Sequence, residues 1–310
     1  MPKGARMMKV VNITKNNLRE LKKFSLGYGI FNTEADLFIM KTKEKWDIKY
    51  KMLKAFFCTE GPTFSNKLFT INELIDNRNI INIDELVLPE RLLVVDDCII
   101  GFIMPYIDSV NFEAILNDTS ISNLTKIEYF KQISCILKKM DNLRKNSPIT
   151  DFYLNDLHAS NFILNKKTGK INVVDLDSCK INGNKPFAAK YLTPAYPISG
   201  MKAKYRLNEE LQFSGYIIPD KNTDLYCYVM TLMNFLFKGR ISSLGKEGYY
   251  LYLEYLRSIN YPYELLDKLS KIYEYTDNEE IGEELECLTN DMIVMAQSKI
   301  FEMKTNKLGN

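Results

Sequence analysis

Runs of β-branched and aromatic residues, separated by turn residues, dominate the first hundred positions of the chain. Such runs predict five strands, which read GYGIF at 27–31, ADLFIMKT at 35–42, WDIKYKMLKAFF at 46–57, LVLPERLLVV at 86–95 and CIIGFIMPYI at 98–107. Apolar residues at helical spacing between the third and fourth runs predict one helix, with Ser65 as its candidate N-cap. The predicted order is therefore three strands, one helix and two strands.

The pattern changes to helical spacing after residue 110. Apolar side chains at steps of three and four predict a long amphipathic helix over about 124–145. Two short strands at 161–167 and 170–177 follow, joined by a turn at Thr168-Gly169. Beyond residue 222, four further segments have the apolar spacing of helices, and the last of them covers 283–302.

Together these patterns predict an α+β fold built from two lobes. The N-terminal lobe, residues 1–106, is expected to hold a small antiparallel sheet with one helix. The C-terminal lobe, residues 107–310, is expected to be larger and mainly helical, and the two lobes together to form one domain. A cleft between the lobes is where a ligand site is expected.

Composition narrows the range of functions. The 41 Lys and Arg residues nearly balance the 39 Asp and Glu residues, so the net charge of +2 gives no support for a nucleic-acid partner. His158 is the single histidine, which excludes sites that need two histidines. Six scattered cysteines without a CxxC pair, no secretory signal and no long apolar span lead us to expect a cytoplasmic protein.

The segment YLNDLHASNFILNKKTGKINVVDLDSCK at 153–180 carries the most informative polar residues. It places Asp156 in a loop, Asn161 five residues later, and Asp175 at the end of the second predicted strand. Asn161 and Asp175 offer the oxygen ligands that suit a hard cation such as Mg²⁺. Two oxygen-ligand motifs therefore flank one hairpin.

These motifs resemble the catalytic loop HRDxxxxN and the metal motif DFG of the protein-kinase-like superfamily. Here the first runs from Leu154 to Asn161 and the second reads Asp175-Leu176-Asp177. Upstream, LGYGIFN at 26–32 is similar to the glycine-rich loop and KMLK at 51–54 to the VAIK strand. Downstream, YLTPAY at 191–196 resembles the end of an activation segment, and TDLYCYVMTLMNFL resembles the helix opened by a buried Asp, here Asp224. The resemblance covers roughly residues 25–240.

The resemblance implies a bilobal protein-kinase-like fold and a role for each matching residue. The implied catalytic residues are Asp156, which would receive the acceptor proton, Lys54, which would neutralise the phosphates, and His158. The implied nucleotide contacts are Gly27, Gly29, Lys54, Glu73 as the ion-pair partner of Lys54, the gatekeeper Met104, and Tyr106 and Ile107 in the hinge. The implied metal ligands are Asn161 and Asp175, and the implied cofactors are ATP and Mg²⁺ or Mn²⁺.

The favoured function is an ATP-dependent phosphotransferase of the Ser/Thr protein-kinase-like type. Two alternatives stay open. DLHASN and the absence of an APE motif are typical of kinases that act on small molecules, whereas Asn155 in place of the HRD arginine and Asp177 in place of the DFG glycine would suit a nucleotide-binding pseudokinase. His158 would either contact the transferred phosphate or only order the loop, and oligomeric state is not predicted.

Overall fold

The computed structural model describes residues 9–24, 34–44, 47–184, 186, 219–274 and 280–298. The predicted first strand at 27–31, which contains Gly27 and Gly29, lies outside these residues, as does YLTPAY at 191–196. The described residues form an α+β fold with one six-stranded sheet and one three-stranded sheet. The predicted fold class is confirmed at this level.

The six-stranded sheet contains strands from the first 105 residues. In chain order they are β1 Val10–Ile13, β2 Lys22–Lys23, β3 Ala35–Glu44, β4 Asp47–Phe56, β5 Arg91–Val95 and β6 Cys98–Pro105. Their spatial order is β1-β5-β6-β4-β3-β2. The pair β1–β5 is parallel while the other pairs are antiparallel, so the sheet is mixed and the prediction of an antiparallel sheet is wrong for β1. The four-residue run VVNI is too short to be recognised by alternation.

Three helices accompany this sheet, so the prediction of one helix is wrong: α1 Lys15–Glu20, α2 Gly61–Asp76 and α3 Arg78–Ile81. Helix α2 begins four residues before the predicted cap, with a proline in its first turn. Proline is favoured there because its missing N–H would have no intrahelical acceptor. Ser65 instead lies inside the helix, and its Oγ donates a hydrogen bond to the carbonyl of Gly61 at 3.0 Å.

The second half of the chain is mainly helical in its described residues. Its helices are α4 Phe112–Asn117, α5 Asn123–Asn146, α6 Lys221–Phe237, α7 Gly245–Ser258, α8 Tyr263–Glu274 and α9 Asn290–Ser298. Helix α5 confirms the predicted long helix, and the Ser122 hydroxyl accepts from Thr125 N at its start. The helix predicted over 283–302 divides into a 3₁₀ turn at 284–287 and α9.

A small sheet in the order β7-β8-β9 carries the motif hairpin, with β7 Ser109–Asn111, β8 Phe162–Asn165 and β9 Ile171–Val173. Both predicted hairpin strands are shorter than expected. Beside β9, Val87 N donates to Val173 O at 2.9 Å, and Val173 N donates to Glu85 O at 2.8 Å. The hairpin is thus attached to a segment that precedes β5.

The largest buried apolar cluster surrounds α6, most of whose side chains are buried. It also contains five residues from before position 106, namely Leu74, Ile81, Ile83, Leu86 and Leu88. The division into lobes at residue 106 stays a prediction. None of the helices in the described parts of the chain combines the length and the apolar character needed to cross a membrane.

Candidate functional site

Helix α6 fixes the start of the loop that carries Asp156. Asp224, in the first turn of α6, is only 3% exposed and accepts hydrogen bonds from Leu154 N and Asn155 N, both at 2.9 Å. The N-cap of α6 is Asp220, so the bonds of Asp224 reach the loop and do not cap its own helix. Asn155 has a left-handed backbone with φ of 65° and donates from Nδ2 to Ser178 O.

Asn161 and His158 both lie beside Asp156. The side-chain Nδ2 of Asn161 donates to the backbone carbonyl oxygen of Asp156 at 2.8 Å. The backbone N–H of Val174 donates to the backbone oxygen of Asn161 at 3.0 Å. His158 Nε2 is 3.9 Å from the Asp156 carboxylate, and its Nδ1 accepts from Ser160 N. Burial raises the pKa of Asp156, which makes its carboxylate a better proton acceptor.

Lys54 on β4 forms an ion pair with Asp175, although the two residues are 121 positions apart in the chain. The Nζ atom of Lys54 is 2.5 Å from Asp175 Oδ1, 2.9 Å from Glu34 Oε1 and 3.0 Å from Asp177 Oδ1. Lys54 is only 6% exposed. Burial alone would lower the pKa of Lys54. The three carboxylates hold this pKa well above its ordinary value, so the ammonium stays charged.

Asp175 lies two residues beyond the end of β9. Its backbone is left-handed, with φ of 64° and ψ of 48°, a conformation that is unfavourable for a residue other than glycine. Although its side chain is only partly buried, loss of solvation raises the pKa of Asp175 against the opposing charge of Lys54. Asp177 behaves differently. Burial alone would raise its pKa, but the charges of Lys54 and Lys67 hold this pKa below the ordinary value. Of the two carboxylates, Asp175 is therefore the less fully neutralised by lysines.

Two residues of the site, Lys67 on α2 and Glu34 just before β3, were not predicted from the sequence. The Nζ atom of Lys67 is 2.8 Å from Asp177 Oδ2 and 2.9 Å from Glu34 Oε2. The only available signals were that Glu34 follows the GYG segment and that Lys67 lies on α2, six residues before the candidate Glu73. Neither signal assigns a contact.

Glu73 does not contact Lys54, so the predicted ion pair is wrong. Its Oε2 instead accepts hydrogen bonds from Asn182 Nδ2 at 2.5 Å and from Asn77 Nδ2 at 3.2 Å. Glu73 lies six residues beyond Lys67 on α2, which places it about 9 Å farther along the helix axis. Lys67, not Glu73, therefore reaches the carboxylates around Lys54.

The predicted hinge residues follow β6. Met104, paired with Met52 of β4, is 8% exposed and packs in the same apolar cluster as Val174, the residue before Asp175. Tyr106 N donates to Tyr50 O at 3.3 Å, so this N–H has a partner within the protein. Ile107 O accepts from Ser109 Oγ. Met104 thus shares an apolar cluster with the residue that precedes the metal motif, while Gly27 and Gly29 fall outside the described residues.

The donor set of the site suits a hard cation. Glu34, Asp175 and Asp177 each offer a carboxylate oxygen, and these oxygens lie within 4.8 Å of one another. Lys54 and Lys67 neutralise Glu34 and Asp177 on both sides, which leaves Asp175 as the carboxylate best placed to coordinate Mg²⁺. The amide oxygen of Asn161 would be the second ligand, because its nitrogen is bonded to Asp156 O.

Comparison of the sequence with protein-family models and with curated proteins finds no match. The function therefore has to be argued from the geometry and chemistry of the site.

Proposed function

We propose that this chain is an ATP- and Mg²⁺-dependent phosphotransferase of the protein-kinase-like type, with a Ser/Thr hydroxyl of a protein as the favoured acceptor. The observation that carries the proposal is the 2.5 Å contact between Lys54 and Asp175, beside the loop that holds Asp156 and Asn161. Phosphoryl transfer depends on charge neutralisation and in-line positioning, and these residue types provide both.

Each residue has one role in this proposal. Lys54 neutralises the α- and β-phosphates of ATP, and Asp175 and Asn161 hold the metal. Mg²⁺, or Mn²⁺ in its place, supplies the charge that offsets the negative charge of the transferred phosphoryl group. Asp156 orients the acceptor hydroxyl and receives its proton, which its raised pKa favours.

The bilobal arrangement belongs to the same proposal. The nucleotide would lie between the six-stranded sheet, which carries Lys54 and Met104, and the helical part, which carries the motif hairpin. Strand β6 supports this placement, because Met104 shares an apolar cluster with Val174 next to the metal motif. The adenine would then lie against β6 and the residues that follow it.

A second candidate acceptor is the hydroxyl of a small molecule. His158 favours it, since its imidazole lies 3.9 Å from the Asp156 carboxylate, at the place where an acceptor must approach. A neutral imidazole donates or accepts a hydrogen bond and so suits a polar metabolite.

Transfer of ³²P from γ-labelled ATP, with Mg²⁺ or Mn²⁺, tests the proposal. The acceptors are generic proteins, the chain itself and a panel of hydroxylated small molecules. We expect Asp156→Ala and Asp175→Ala each to lower transfer by about 100-fold or more. Asp108→Ala, which removes an exposed carboxylate paired with Lys166, is the control and should transfer like the wild type. If the wild type transfers no more phosphate than Asp156→Ala to any acceptor, the protein is not a phosphotransferase, and nucleotide binding is the most that the site could do.

A further inference from the structure

Four side chains in the site form a closed ring of alternating charge. Lys54 contacts both Glu34 and Asp177, at 2.9 and 3.0 Å, and Lys67 contacts the same two carboxylates, at 2.9 and 2.8 Å. The ammonium groups of Lys54 and Lys67 also lie over the same aromatic ring, that of Phe56, at 5.3 and 5.5 Å from its centroid. We call Lys54, Glu34, Lys67 and Asp177 the charge ring.

Burial makes three of the four members of the charge ring hard to rearrange, whereas the side chain of Glu34 is 43% exposed. The Asp177 side chain is fully buried, and the side chains of Lys54 and Lys67 are 7% and 14% exposed. Removing one partner from a buried ion pair is costly, because the remaining charge stays in a poorly solvated place without compensation. Both oxygens of Asp177 are used, one for each lysine. Each lysine is therefore held from two sides.

Asp175 stands outside the charge ring. It contacts Lys54 but is not in contact with Lys67, and its side chain is 36% exposed. If Asp175 coordinated a metal ion, as the proposed function requires, Lys54 would lose its contact with one of its three carboxylates. Glu34 and Asp177 still hold it, so Lys54 does not depend on Asp175 for its position.

From these contacts we infer that Glu34 and Lys67 are positioning residues that hold Lys54 in place for the phosphates of the nucleotide. The inference rests on the proposed function for the role of Lys54. The carboxylate that was expected from α2 comes instead from Glu34, next to the start of β3, and α2 contributes a lysine that anchors this carboxylate. Helix α2 thus acts on Lys54 through Lys67 and Glu34.

Affinity for Mg·ATP, measured by calorimetry well below the melting temperature of each variant, tests this inference. We expect Glu34→Gln and Lys67→Met each to weaken binding about tenfold. The double variant should be no weaker than either single variant, because one change already opens the charge ring. Lys67→Arg, which keeps the charge, should restore most of the affinity.

Two controls separate positioning from stability. Glu90→Gln breaks the ion pair of Lys51, three residues from Lys54 on β4, and Glu73→Gln removes the carboxylate that does not reach Lys54. Both should bind Mg·ATP like the wild type. Melting temperatures that fall in Glu34→Gln and Lys67→Met while their affinity stays at the wild-type value would overturn the inference, as would an equal loss of affinity in Glu73→Gln.

A second readout does not depend on nucleotide. Acylation of Lys54 by an amine-reactive ester, followed by mass spectrometry, reports whether its side chain can leave the buried position. We expect faster labelling of Lys54 in Glu34→Gln and unchanged labelling in Glu73→Gln. If the wild-type protein binds no nucleotide, the proposed function is wrong. The labelling rates would still show whether Glu34 holds Lys54. Equal rates in Glu34→Gln and wild type would reject the inference by itself.

Discussion

Asp224 is a buried carboxylate that accepts hydrogen bonds from the loop leading to Asp156. Its two oxygens accept one backbone N–H each, from Leu154 and Asn155. Asn155 adopts a left-handed backbone directly after this contact. The carboxylate therefore stabilises a local conformation that Asn155 would otherwise adopt at some cost.

Replacing Asp224 by Asn should destabilise the protein by about 2 kcal/mol, because the amide keeps one acceptor oxygen and turns an N–H toward the other backbone donor. Urea unfolding measures this loss. Asp220→Asn is the matched control in the same helix, since Asn and Asp are equally good N-caps. Equal stability of the two variants would show that Asp224 does not hold the loop.

The site residues that the sequence predicted are those with a fixed place in an ordered motif. Asp156, Asn161 and Asp175 flank one hairpin, so short-range geometry already places them near one another. Which residue of α2 reaches the carboxylates around Lys54 depends on how α2 lies against β4, and no local pattern encodes this packing. Spacing on α2 offers both Lys67 and Glu73, and only the packed structure selects Lys67.

At the scale of elements, one face of α2 is bound to the segment that follows the metal motif. Lys67, Thr70 and Glu73 succeed one another at intervals of three residues on this face. They contact Asp177, Asn184 and Asn182 in turn, although these partners do not follow the same order along the chain. Polar contacts thus recur over fewer than two turns of the helix and hold segment 177–184 against it.

Thr70→Val tests this attachment with little change in shape. Thr70 Oγ1 accepts from Asn184 Nδ2 at 2.6 Å, and valine would remove this acceptor at a position that is 1% exposed. We expect a loss of about 1 kcal/mol and faster amide hydrogen exchange in residues 179–184. Ser65→Ala, which removes only a hydrogen bond inside α2, should leave that exchange unchanged. Slow exchange retained in Thr70→Val would mean that the segment does not depend on α2.

Elements were predictable from the sequence where their pattern is long. The ten-residue strands β3 and β4 and the 24-residue helix α5 were all predicted. The short strands β1 and β7 show too few alternations to be recognised. The equally short β8 and β9 were predicted because the Thr168-Gly169 turn marks them as a hairpin. The start of α2 was misplaced because Ser65 has the side chain of a cap, while Pro62 marks the real first turn.

At the scale of the whole molecule, the sheet-bearing half of the chain completes the core of the helical half. Leu74, Ile81, Ile83, Leu86 and Leu88 pack in the same cluster as α6, and they precede residue 106. A fragment of residues 107–310 would expose the surface that these five side chains cover. Burial of one such side chain contributes about 2 kcal/mol, so five of them account for a large part of the stability of a domain.

We therefore expect the full chain to unfold in one cooperative step and the fragment 107–310 not to fold by itself. Pulsed hydrogen exchange with mass spectrometry, along a urea series, would follow peptides of β4 and α6 separately. The transitions of the two sets of peptides should coincide. Leu86→Ala should move both transitions to lower urea concentrations, because the cavity lies in the shared core, and should lower the free energy of unfolding by about 3 kcal/mol. A shift confined to α6 peptides, or a fragment as stable as the full chain, would mean that the helical part folds independently of the residues before 106.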